Sequence, residues 1–484
     1  MKINPLLLVD FYKIHHNKMY PENMTFLYSN FTPRKSRIEG IDSVVVFGIQ
    51  HFIKEYLINS FNENFFQVSK SDIIEEYKRH CQVDTKHIED LHDLGYLPIR
   101  IKSLEEGSLC PIGVPLLTIF CTKTNFGWLV NYLETLLSCS LWQPITSATI
   151  AYKYKNILNK YALETTGNAE GVQWQGHDFS MRGMSSPESA ILSAMGHLIS
   201  FTGTDTIPAI YQLEKSYNAK GLIGASVPAT EHSVMCMGEK ESEVETFRRL
   251  LNLYPNGILS VVSDTWDLWK VLTEYLPILK EEILSRDGKL VIRPDSGDPV
   301  DIICGLNSDI NWNKDEEWNK LPKTKGVIEI LWDVFGGTIN ENGYKVLDSH
   351  IGAIYGDSIT IDRAIQICER LKYKGFASTN IVLGIGSYTY QYNTRDTFGF
   401  AMKATYGEVD GIGREIFKDP ITDDGTKRSK KGLLQVIKDT NGNIICLDQQ
   451  NEEQEKLGLL KTVFLNGQLC EEYNLSQVRY NLNK

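Results

Sequence analysis

Apolar positions in the second half of the chain fall into short runs, each followed by a few small or polar residues and then by a helical pattern. The runs lie at 258–262, 290–292, 351–355 and 381–383. Strands that alternate with helices are typical of parallel βα units. The pattern therefore predicts an α/β fold with a βα barrel, and an open doubly wound sheet is the alternative.

The first half of the chain has a different pattern. Helical periodicity extends over 44–60 and 71–92, and 97–121 changes to short strands with Gly and Pro at the turns. Two further helices are predicted over 127–142 and 147–165. This half of the chain therefore predicts an α+β region.

Two hairpins are predicted near the end of the sequence. Asn441-Gly442 and Asn466-Gly467 each lie between apolar runs, and Asn-Gly in that position is a strong hairpin signal. We therefore expect a second, β-rich domain that uses this tail together with the strands near 97–121.

Composition limits the classes of function. Lys and Arg number 50 and Asp and Glu 61, a formal net charge of -11, so a nucleic-acid-binding protein is disfavoured and an anionic ligand needs a local cationic site. The nine cysteines include no CxxC pair, which argues against a zinc site or a disulfide framework and indicates a reducing compartment. The apolar run after Pro5 has four residues, too few for a signal peptide or a membrane helix. We expect a cytoplasmic protein that binds neither nucleic acid nor membrane.

Chemically useful side chains follow the predicted strands, at the end of a barrel where active sites lie. The set is Asp264, Arg293, Asp295, Gly356, Asp357 and Gly386. Arginine binds phosphate oxygens, glycine lets backbone N–H groups approach an anion, and aspartates bind ribose hydroxyls or hold Mg²⁺ through water. Caps and turns explain each residue separately, but the succession of such ends favours a site for a phosphorylated sugar with magnesium.

A histidine follows another predicted strand. His232 has Ser226, Glu231 and Ser233 near it in the sequence, which suits a reactive imidazole as well as an ordinary hydrogen-bonded residue. The basic run 427–432 is typical of solvated surface, yet in an acidic protein it can steer a polyphosphate.

Ten short motifs occur in a characteristic order and approximate spacing: Asp10–Lys13, His177–Phe179 with Arg182-Gly183, Gly203–Thr206, Ser226–Ala229 with Glu231–Ser233, Val261–Asp264, Ile292–Gly297, Gly356-Asp357, Thr394–Asp396, Phe417–Pro420 and Lys427–Gly432. Through this set the chain resembles the nicotinate/nicotinamide phosphoribosyltransferase family over nearly its whole length. It departs from the family pattern at Ser387, where glycine is common, and at Thr230, where alanine is.

The resemblance implies a type II phosphoribosyltransferase fold, in which an irregular βα barrel is joined by a second, β-rich α+β domain. It also implies a homodimer with shared active sites. The expected regions are an N-terminal arm at the dimer interface (1–30), an α+β region with part of the small domain and helices that pack on the barrel (31–165), the barrel catalytic domain (166–395) and a β-rich tail that completes the small domain (396–484).

The implied reaction joins nicotinamide to 5-phosphoribosyl-1-pyrophosphate and gives nicotinamide mononucleotide and pyrophosphate, a step of NAD salvage. Mg²⁺ would be the cofactor and ATP a coupled co-substrate. A pyridine nitrogen is already a nucleophile, so the enzyme has to stabilise an oxocarbenium-like ribose and a departing pyrophosphate rather than supply a general base. The alternatives are nicotinate as the ring substrate, which Asp205 would disfavour, and a non-catalytic binding or signalling protein on the same fold.

Positions that match the family motifs imply roles for individual residues. Phe179 and Tyr12 of the partner subunit would sandwich the ring, and Asp205 would accept a hydrogen bond from the carboxamide. ATP would phosphorylate His232, with Glu231 beside it, and His232, Arg293 and Asp295 would form the catalytic set. The other ligands of substrate, phosphate and Mg²⁺ (through water, at Asp264 and Asp295) would be Arg182, Ser226, Ser260, Asp264, Arg293, Asp295, Gly356, Asp357, Gly386, Ser387, Arg395, Lys418 and Lys427.

Overall fold

The computed structural model describes residues 3–306, 321–356, 358–418 and 430–484. Strands in these residues are β1 Met24–Thr32, β2 Ser43–Val45, β3 Ile99–Ser103, β4 Leu109–Pro111, β5 Leu117–Cys121, β6 Gly176–Asp178, β7 Gly203–Thr204, β8 Asn256–Val262, β9 Asp287–Arg293, β10 Gly337–Ile339, β11 Lys345–Leu347, β12 Ile351–Tyr355, β13 Ile381–Ile385, β14 Ala401–Val409, β15 Ile412–Glu415, β16 Leu433–Lys438, β17 Ile444–Gln450, β18 Lys461–Leu465 and β19 Gln468–Leu469.

The α-helices in the same residues are α1 His16–Met19, α2 Ile49–Phe52, α3 Lys70–Cys81, α4 Lys86–Leu94, α5 Gly127–Tyr132, α6 Glu134–Thr166, α7 Pro187–His197, α8 Ile207–Tyr217, α9 His232–Cys236, α10 Glu243–Leu253, α11 Leu268–Lys270, α12 Leu276–Ile278, α13 Lys280–Leu284, α14 Pro299–Cys304, α15 Pro322–Lys325, α16 Val327–Phe335, α17 Ile361–Tyr373, α18 Ser387–Gln391, α19 Glu452–Lys456 and α20 Leu475–Leu482. Within the described ranges, no helix combines the length and the apolar character needed to cross a membrane.

Contacts divide the chain into two units. The barrel unit is built from Ile150–Ile210 and Leu222–Tyr392, whereas sequence reasoning expected the barrel over 166–395. The β-rich unit takes up the rest of the chain in three pieces, Met1–Thr149, Tyr211–Gly221 and Asn393–Lys484.

The barrel unit contains a six-stranded parallel sheet with the order β7-β6-β13-β12-β9-β8. Strands β6 and β7 lie side by side, as do β8, β9, β12 and β13 in succession, and β13 pairs back with β6, so that β7 and β8 are the two ends of the sheet. The segment between β7 and β8 joins the two ends, because Ala225 forms a parallel bridge with Gly203 and Ala229 forms one with Ser260. The predicted irregular βα barrel is therefore confirmed, and the alternative of an open doubly wound sheet is wrong.

The β-rich unit contains a seven-stranded antiparallel sheet with the order β15-β14-β1-β5-β3-β18-β19. β1 pairs with β14 on one side and with β5 on the other, so the two ends of the chain share one sheet. Both predicted hairpins are present, β16–β17 and β18–β19. Gly442 and Gly467 in their turns have a φ of 84°, which glycine adopts without strain. The predicted β-rich second domain is confirmed.

The two helices predicted over 127–142 and 147–165 are present as α5 and α6, but the break between them lies at Leu133 and not between residues 142 and 147. Helix α6 continues through Pro144, although proline inside a helix removes a backbone hydrogen bond. Leu141 and Ile145 on this stretch are wholly buried, and an added Cβ at Gly48 would lie 2.9 Å from the Pro144 ring. Close packing on both sides of the proline thus outweighs its effect on the helix, and the predicted break is wrong.

Two other helix predictions need correction at their boundaries. The helix predicted from residue 44 begins at Ile49, because Ser43–Val45 pairs with β4 instead. The helix predicted over 71–92 is two helices, α3 and α4, since Gln82 ends α3 in the left-handed conformation with a φ of 54°.

A buried carboxylate anchors the internal piece of the β-rich unit. Glu106 accepts hydrogen bonds from the backbone N–H groups of Gly48 (3.1 Å) and Gln50 (2.7 Å) at the start of α2, and from the Tyr217 hydroxyl (3.1 Å) at the end of α8. The Gln50 side chain continues the network by donating to the backbone carbonyl of Tyr473 at 2.9 Å. One buried acid therefore orders three separate pieces of the chain.

We predict that this carboxyl group makes the stability of the protein pH-dependent. Burial raises the pKa of Glu106 from 4.5 to about 7, although its hydrogen bonds act in the opposite direction. Between these two pH values the folded chain keeps a proton that the unfolded chain loses, so the free energy of unfolding falls as the pH rises, by up to about 3 kcal/mol. Thermal melting from pH 4.5 to 7.5 should give a flatter curve for Glu106→Gln than for the wild type.

Glu105→Gln is the matched control. Its carboxylate is 44% exposed and pairs with Lys461, so this variant should keep the wild-type slope. Parallel melting curves for wild type and Glu106→Gln would contradict the assignment.

Candidate active site

The carboxyl ends of the barrel strands bring most of the sequence-predicted residues together. Phe179 and Arg182 follow β6, Asp205 follows β7, and Ser226, Glu231 and His232 lie on the segment between β7 and β8 or just after it. Ser260 lies within β8 and Asp264 follows that strand. Arg293 ends β9 and Asp295 follows it, Gly356 follows β12, and Gly386 and Ser387 follow β13. Tyr12, Arg395 and Lys418 belong to the β-rich unit. Asp357 and Lys427 lie outside the described residues.

A buried carboxylate fixes the first two of these strand ends. Asp178, the last residue of β6, is wholly buried. One of its oxygens accepts from the Ser180 backbone N–H (3.0 Å) and hydroxyl (2.6 Å), and the other accepts from the hydroxyls of Thr204 (2.9 Å) and Thr206 (2.7 Å). A buried charge needs such partners. The loops that hold Phe179 and Asp205 are thereby tied to one group.

An aromatic cleft of about 530 Å³ opens beside these loops. Phe179 and Asp205 lie on its wall, and the exposed Arg182 is at its edge. The complete lining is Phe179, Met181, Arg182, Met184, Ser185, Ser186, Pro187 and Asp205. One aromatic face, one cation and one carboxylate suit a flat ring that carries a hydrogen-bond donor and is joined to an anionic group.

Asp205 in this cleft is held ionised. His177 Nε2 lies 2.9 Å from its Oδ1, and Ser226 is a second hydrogen-bond partner. Burial raises the pKa of Asp205, but the hydrogen bonds from His177 and Ser226 and the charge of Arg293 outweigh it, so the pKa lies below its ordinary value. The cleft therefore presents a carboxylate that accepts hydrogen bonds.

Arg293 keeps much of its hydrogen-bonding capacity for a ligand. The side chain is 13% exposed, and its Nη2 donates to the Thr230 backbone carbonyl at 2.6 Å. Its Nε is buried, lies 3.9 Å from Asp295 Oδ1 and has no hydrogen-bond partner in the described part of the chain. A guanidinium with an unused donor at the mouth of a barrel is suited to bind a phosphate oxygen.

His232 stands half-exposed at the start of α9. Its Nδ1 is 3.1 Å from the Thr265 hydroxyl, and its Nε2 lies 3.9 Å from both Asp264 Oδ1 and Asp295 Oδ2. The residues on either side of His232 are joined, because the Ser233 hydroxyl donates a hydrogen bond to the Glu231 carboxylate. This imidazole is therefore oriented on one side and open to solvent, as a group that receives a phosphoryl group must be.

Two carboxylates are suited to a hydrated divalent cation. Asp264 is 6% exposed, its Oδ2 accepts from the Asp295 backbone N–H at 2.9 Å, and its Oδ1 lacks a hydrogen-bond partner among the described residues. The Asp295 carboxylate lies against the backbone of Gly356, where an added Cβ would come within 1.6 Å of Asp295 Oδ1. The described residues contain no group of three or more His, Cys, Asp or Glu that could hold a metal ion. Two carboxylates are a donor set that suits Mg²⁺ when water or phosphate supplies its other ligands.

Sequence reasoning missed two residues of this site. It placed His177 in the motif His177–Phe179 but gave this residue no role, although it forms the hydrogen bond to Asp205. It noted Thr230 as a departure from the family pattern, but the Thr230 hydroxyl accepts from the Val262 backbone N–H at 2.9 Å and so replaces a missing partner on β8. The available signal was the position of each residue within a family motif or next to one.

Ser387 and Gly183 form a close contact between two loops of the site. An added Cβ at Gly183 would lie 2.1 Å from Ser387 Oγ and 2.5 Å from Ser387 Cβ. The serine that replaces the family's glycine is therefore accommodated because residue 183 has no side chain.

We predict that Gly183→Ala destabilises the barrel unit by about 1–3 kcal/mol, the usual cost of overpacking. Ser387→Gly removes both close atoms, so the double variant should recover the melting temperature of Ser387→Gly alone. Differential scanning fluorimetry of the four proteins measures this coupling.

Gly171→Ala controls for the loss of a glycine, because an added Cβ there meets nothing within 4 Å. Additive effects of Gly183→Ala and Ser387→Gly would show that the two residues are not in contact.

Two family profiles match the sequence. One, described as the nicotinate phosphoribosyltransferase (NAPRTase) family, matches residues 174–468, and one, described as the nicotinamide phosphoribosyltransferase N-terminal domain, matches residues 4–101. A nicotinamide phosphoribosyltransferase of Acinetobacter baylyi is 52% identical over 500 residues, which cover 99% of this chain and 97% of the relative. One of Mycoplasma pneumoniae is 38% identical and covers 88% of this chain and 94% of its own length.

Solved structures match the fold. The nicotinate-nucleotide pyrophosphorylase from Pyrococcus furiosus aligns with a TM-score of 0.58 at 14% identity, over 99% of this chain and 95% of that one. The human nicotinic acid phosphoribosyltransferase aligns with a TM-score of 0.57 at 16% identity, over 98% and 92%. At these identities the likeness concerns the fold, which is that of the type II phosphoribosyltransferases.

Proposed function

The chain belongs to the nicotinamide phosphoribosyltransferase family, and from that premise we propose how its barrel mouth performs the transfer. It is a pentosyltransferase of NAD biosynthesis that joins nicotinamide to the phosphoribosyl group of 5-phosphoribosyl-1-pyrophosphate. The observation that carries the assignment of substrate to residues is the ionised Asp205 on the wall of the aromatic cleft.

The ring binds in this cleft against Phe179. Its carboxamide donates a hydrogen bond to Asp205, while nicotinate would bring a second negative charge to the same carboxylate. The pyridine nitrogen attacks the ribose carbon that carries pyrophosphate, so the protein needs no general base. Orientation and charge stabilisation are what its residues supply.

Cations and backbone groups at the strand ends hold the phosphoribosyl part. Arg293 and Arg182 bind phosphate oxygens, and the unused Arg293 Nε and Ser260 Oγ are buried donors at this end of the barrel. Asp295, Gly356 and, as the family resemblance implies, Asp357 would contact the ribose and its phosphate, with Gly386 and Ser387 at the adjoining strand end. An oxocarbenium-like ribose gains from the nearby aspartates as the pyrophosphate leaves.

Asp264 and Asp295 would hold Mg²⁺ through water. The unpartnered Oδ1 of Asp264 supports this, because a buried carboxylate oxygen needs a cation or a donor. When bound, the ion would neutralise charge on the departing pyrophosphate.

ATP would act through a phosphohistidine at His232. The half-exposed side chain and its Nδ1 contact to Thr265 support the role, because the bound nitrogen orients the ring and leaves Nε2 for the phosphoryl group. Glu231, Arg395, Lys418 and Lys427 would hold the remaining phosphates of ATP or substrate.

A homodimer would complete the site. The N-terminal arm exposes Phe11 by 64% and Tyr12 by 60%, while the next residue, Lys13, is buried in an ion pair of 2.6 Å with Glu134. Exposed aromatic side chains on an anchored arm suit a protein interface. Tyr12 of the partner subunit would cover the second face of the ring.

A cytoplasmic location fits the cysteines, all nine of which lie in described residues as free thiols.

We predict that the purified protein, given 5-phosphoribosyl-1-pyrophosphate and Mg²⁺, makes mononucleotide from nicotinamide much faster than from nicotinate. Asp205→Asn should reduce the ratio of the two kcat/KM values by about tenfold or more, since it removes a like-charge contact with nicotinate. Chromatographic measurement of both mononucleotides gives the ratio.

Three outcomes would change the assignment. Equal use of the two rings, or a ratio unchanged in Asp205→Asn, would reduce Asp205 to a turn residue. A preference for nicotinate would favour the acid-specific alternative. Absence of product from either ring would favour a non-catalytic binding protein.

We also predict that His232→Ala abolishes ATP hydrolysis and acid-labile phosphate incorporation, while slow synthesis without ATP survives. His350→Ala is the control, because that histidine precedes β12 at the amino end of the barrel. Retention of a labile ³²P label in His232→Ala would show that another residue accepts the phosphoryl group.

A further inference from the structure

We propose that His177 is the positioning residue that makes Asp205 selective for a carboxamide. The proposal rests on the function proposed above and concerns the same aromatic cleft. Its argument is geometric: the imidazole occupies one oxygen of the Asp205 carboxylate and is itself held in place by its neighbours.

The hydrogen bond between the two groups has a defined direction. His177 Nε2 lies 2.9 Å from Asp205 Oδ1. An ionised carboxylate accepts and does not donate, so the proton of this hydrogen bond is on Nε2. The bond fixes the plane of the carboxylate and leaves its remaining lone pairs for an N–H group of the ring substituent.

The imidazole has little freedom to move. Its side chain is 11% exposed, and its ring lies 4.4 Å from the Phe179 ring, measured between centroids at an interplanar angle of 36°. On another side it meets the backbone of Gly203, where an added Cβ would come 2.7 Å from Nδ1. Phe179 therefore packs against the same imidazole that holds Asp205, so the stacking face and the acceptor of the cleft are set relative to each other.

Other charged groups near the pair support its role. Asp178 precedes Phe179 on the same loop, and its buried carboxylate accepts hydrogen bonds from Thr204 and Thr206 on either side of Asp205. The buried His197 has its Nε2 3.0 Å from the backbone carbonyl of Gly203. Arg293 lowers the pKa of Asp205, as does the hydrogen bond from His177, whereas burial raises it. Without the imidazole, Asp205 would be both less fixed and more readily protonated, and a protonated carboxyl group does not discriminate between amide and acid in the same way.

Three substitutions separate this role from simple packing. His177→Phe keeps an aromatic ring against Phe179 but has no N–H. His177→Gln has an amide donor that reaches the position of Nε2, and His177→Asn has the same donor one methylene shorter. Steady-state kinetics with nicotinamide, nicotinate and 5-phosphoribosyl-1-pyrophosphate give the readout, with a melting temperature for each variant.

We expect His177→Phe and His177→Asn to raise the KM for nicotinamide by about tenfold and to lower the amide-to-acid ratio of kcat/KM by about the same factor, as loss of a hydrogen bond to a charged group does. The KM for 5-phosphoribosyl-1-pyrophosphate should change less than twofold. His177→Gln should keep both the ratio and the KM close to wild type.

The opposite ranking would overturn the proposal. If His177→Phe keeps the wild-type ratio and His177→Gln loses it, the ring matters for packing and not for positioning Asp205. Should His177→Phe fail to fold, the Gln–Asn pair decides alone, because the two variants share their chemistry and differ in reach. A wild type that makes no mononucleotide from either ring refutes the proposed function itself, which is a separate result.

Discussion

The buried carboxylate of Asp178 is the constraint on which the geometry of the aromatic cleft depends. It accepts four hydrogen bonds, two from Ser180 and one each from Thr204 and Thr206. These donors belong to two loops that would otherwise be independent, one after β6 and one after β7. Because a buried charge is stable only when it is well hydrogen-bonded, the loops cannot separate without exposing an unpaired carboxylate to an apolar interior. This requirement fixes the spacing between Phe179 and Asp205.

Charge is arranged locally against the overall balance of the protein. The chain has a formal net charge of -11, yet Arg293 at the barrel mouth donates to a neutral backbone carbonyl, and its Nε lies 3.9 Å from Asp295 Oδ1. This Nε has no hydrogen-bond partner among the described residues, in surroundings that screen charge poorly. The strand ends are thus suited to bind an anion despite the negative net charge, and although burial raises the pKa of Asp205, the same cation helps to lower it.

Periodicity in the sequence was sufficient for the parallel βα units and for placing the candidate site residues at the strand ends, while it left the barrel and an open sheet as alternatives. The alternation of apolar strands with helices, and the Asp, Arg and Gly residues after each strand, located the strand ends where the structure has Asp264, Arg293 and Gly356. Three features were beyond such reasoning. The continuation of α6 through Pro144 depends on close packing with Gly48, which is distant in the sequence. His177 acquires its role from Asp205 on the neighbouring strand, and Tyr211–Gly221 joins the β-rich unit through Glu106 and Gln50. Each is a long-range contact that no local pattern encodes.

The shared antiparallel sheet has a consequence for the nascent chain. β1 ends at Thr32, and its partner on one side begins at Ala401, on β14. As synthesis proceeds from the amino end, all strands of the barrel leave the ribosome before β14 and β18 are available, so β1 and β3 each have one edge without a partner for most of translation. Unpaired strand edges are sites of aggregation, and pairing over such a separation is slow. The sheet is therefore completed only after β14 and β18 have been synthesised, and until then the open edges of β1 and β3 are where a chaperone would protect the chain.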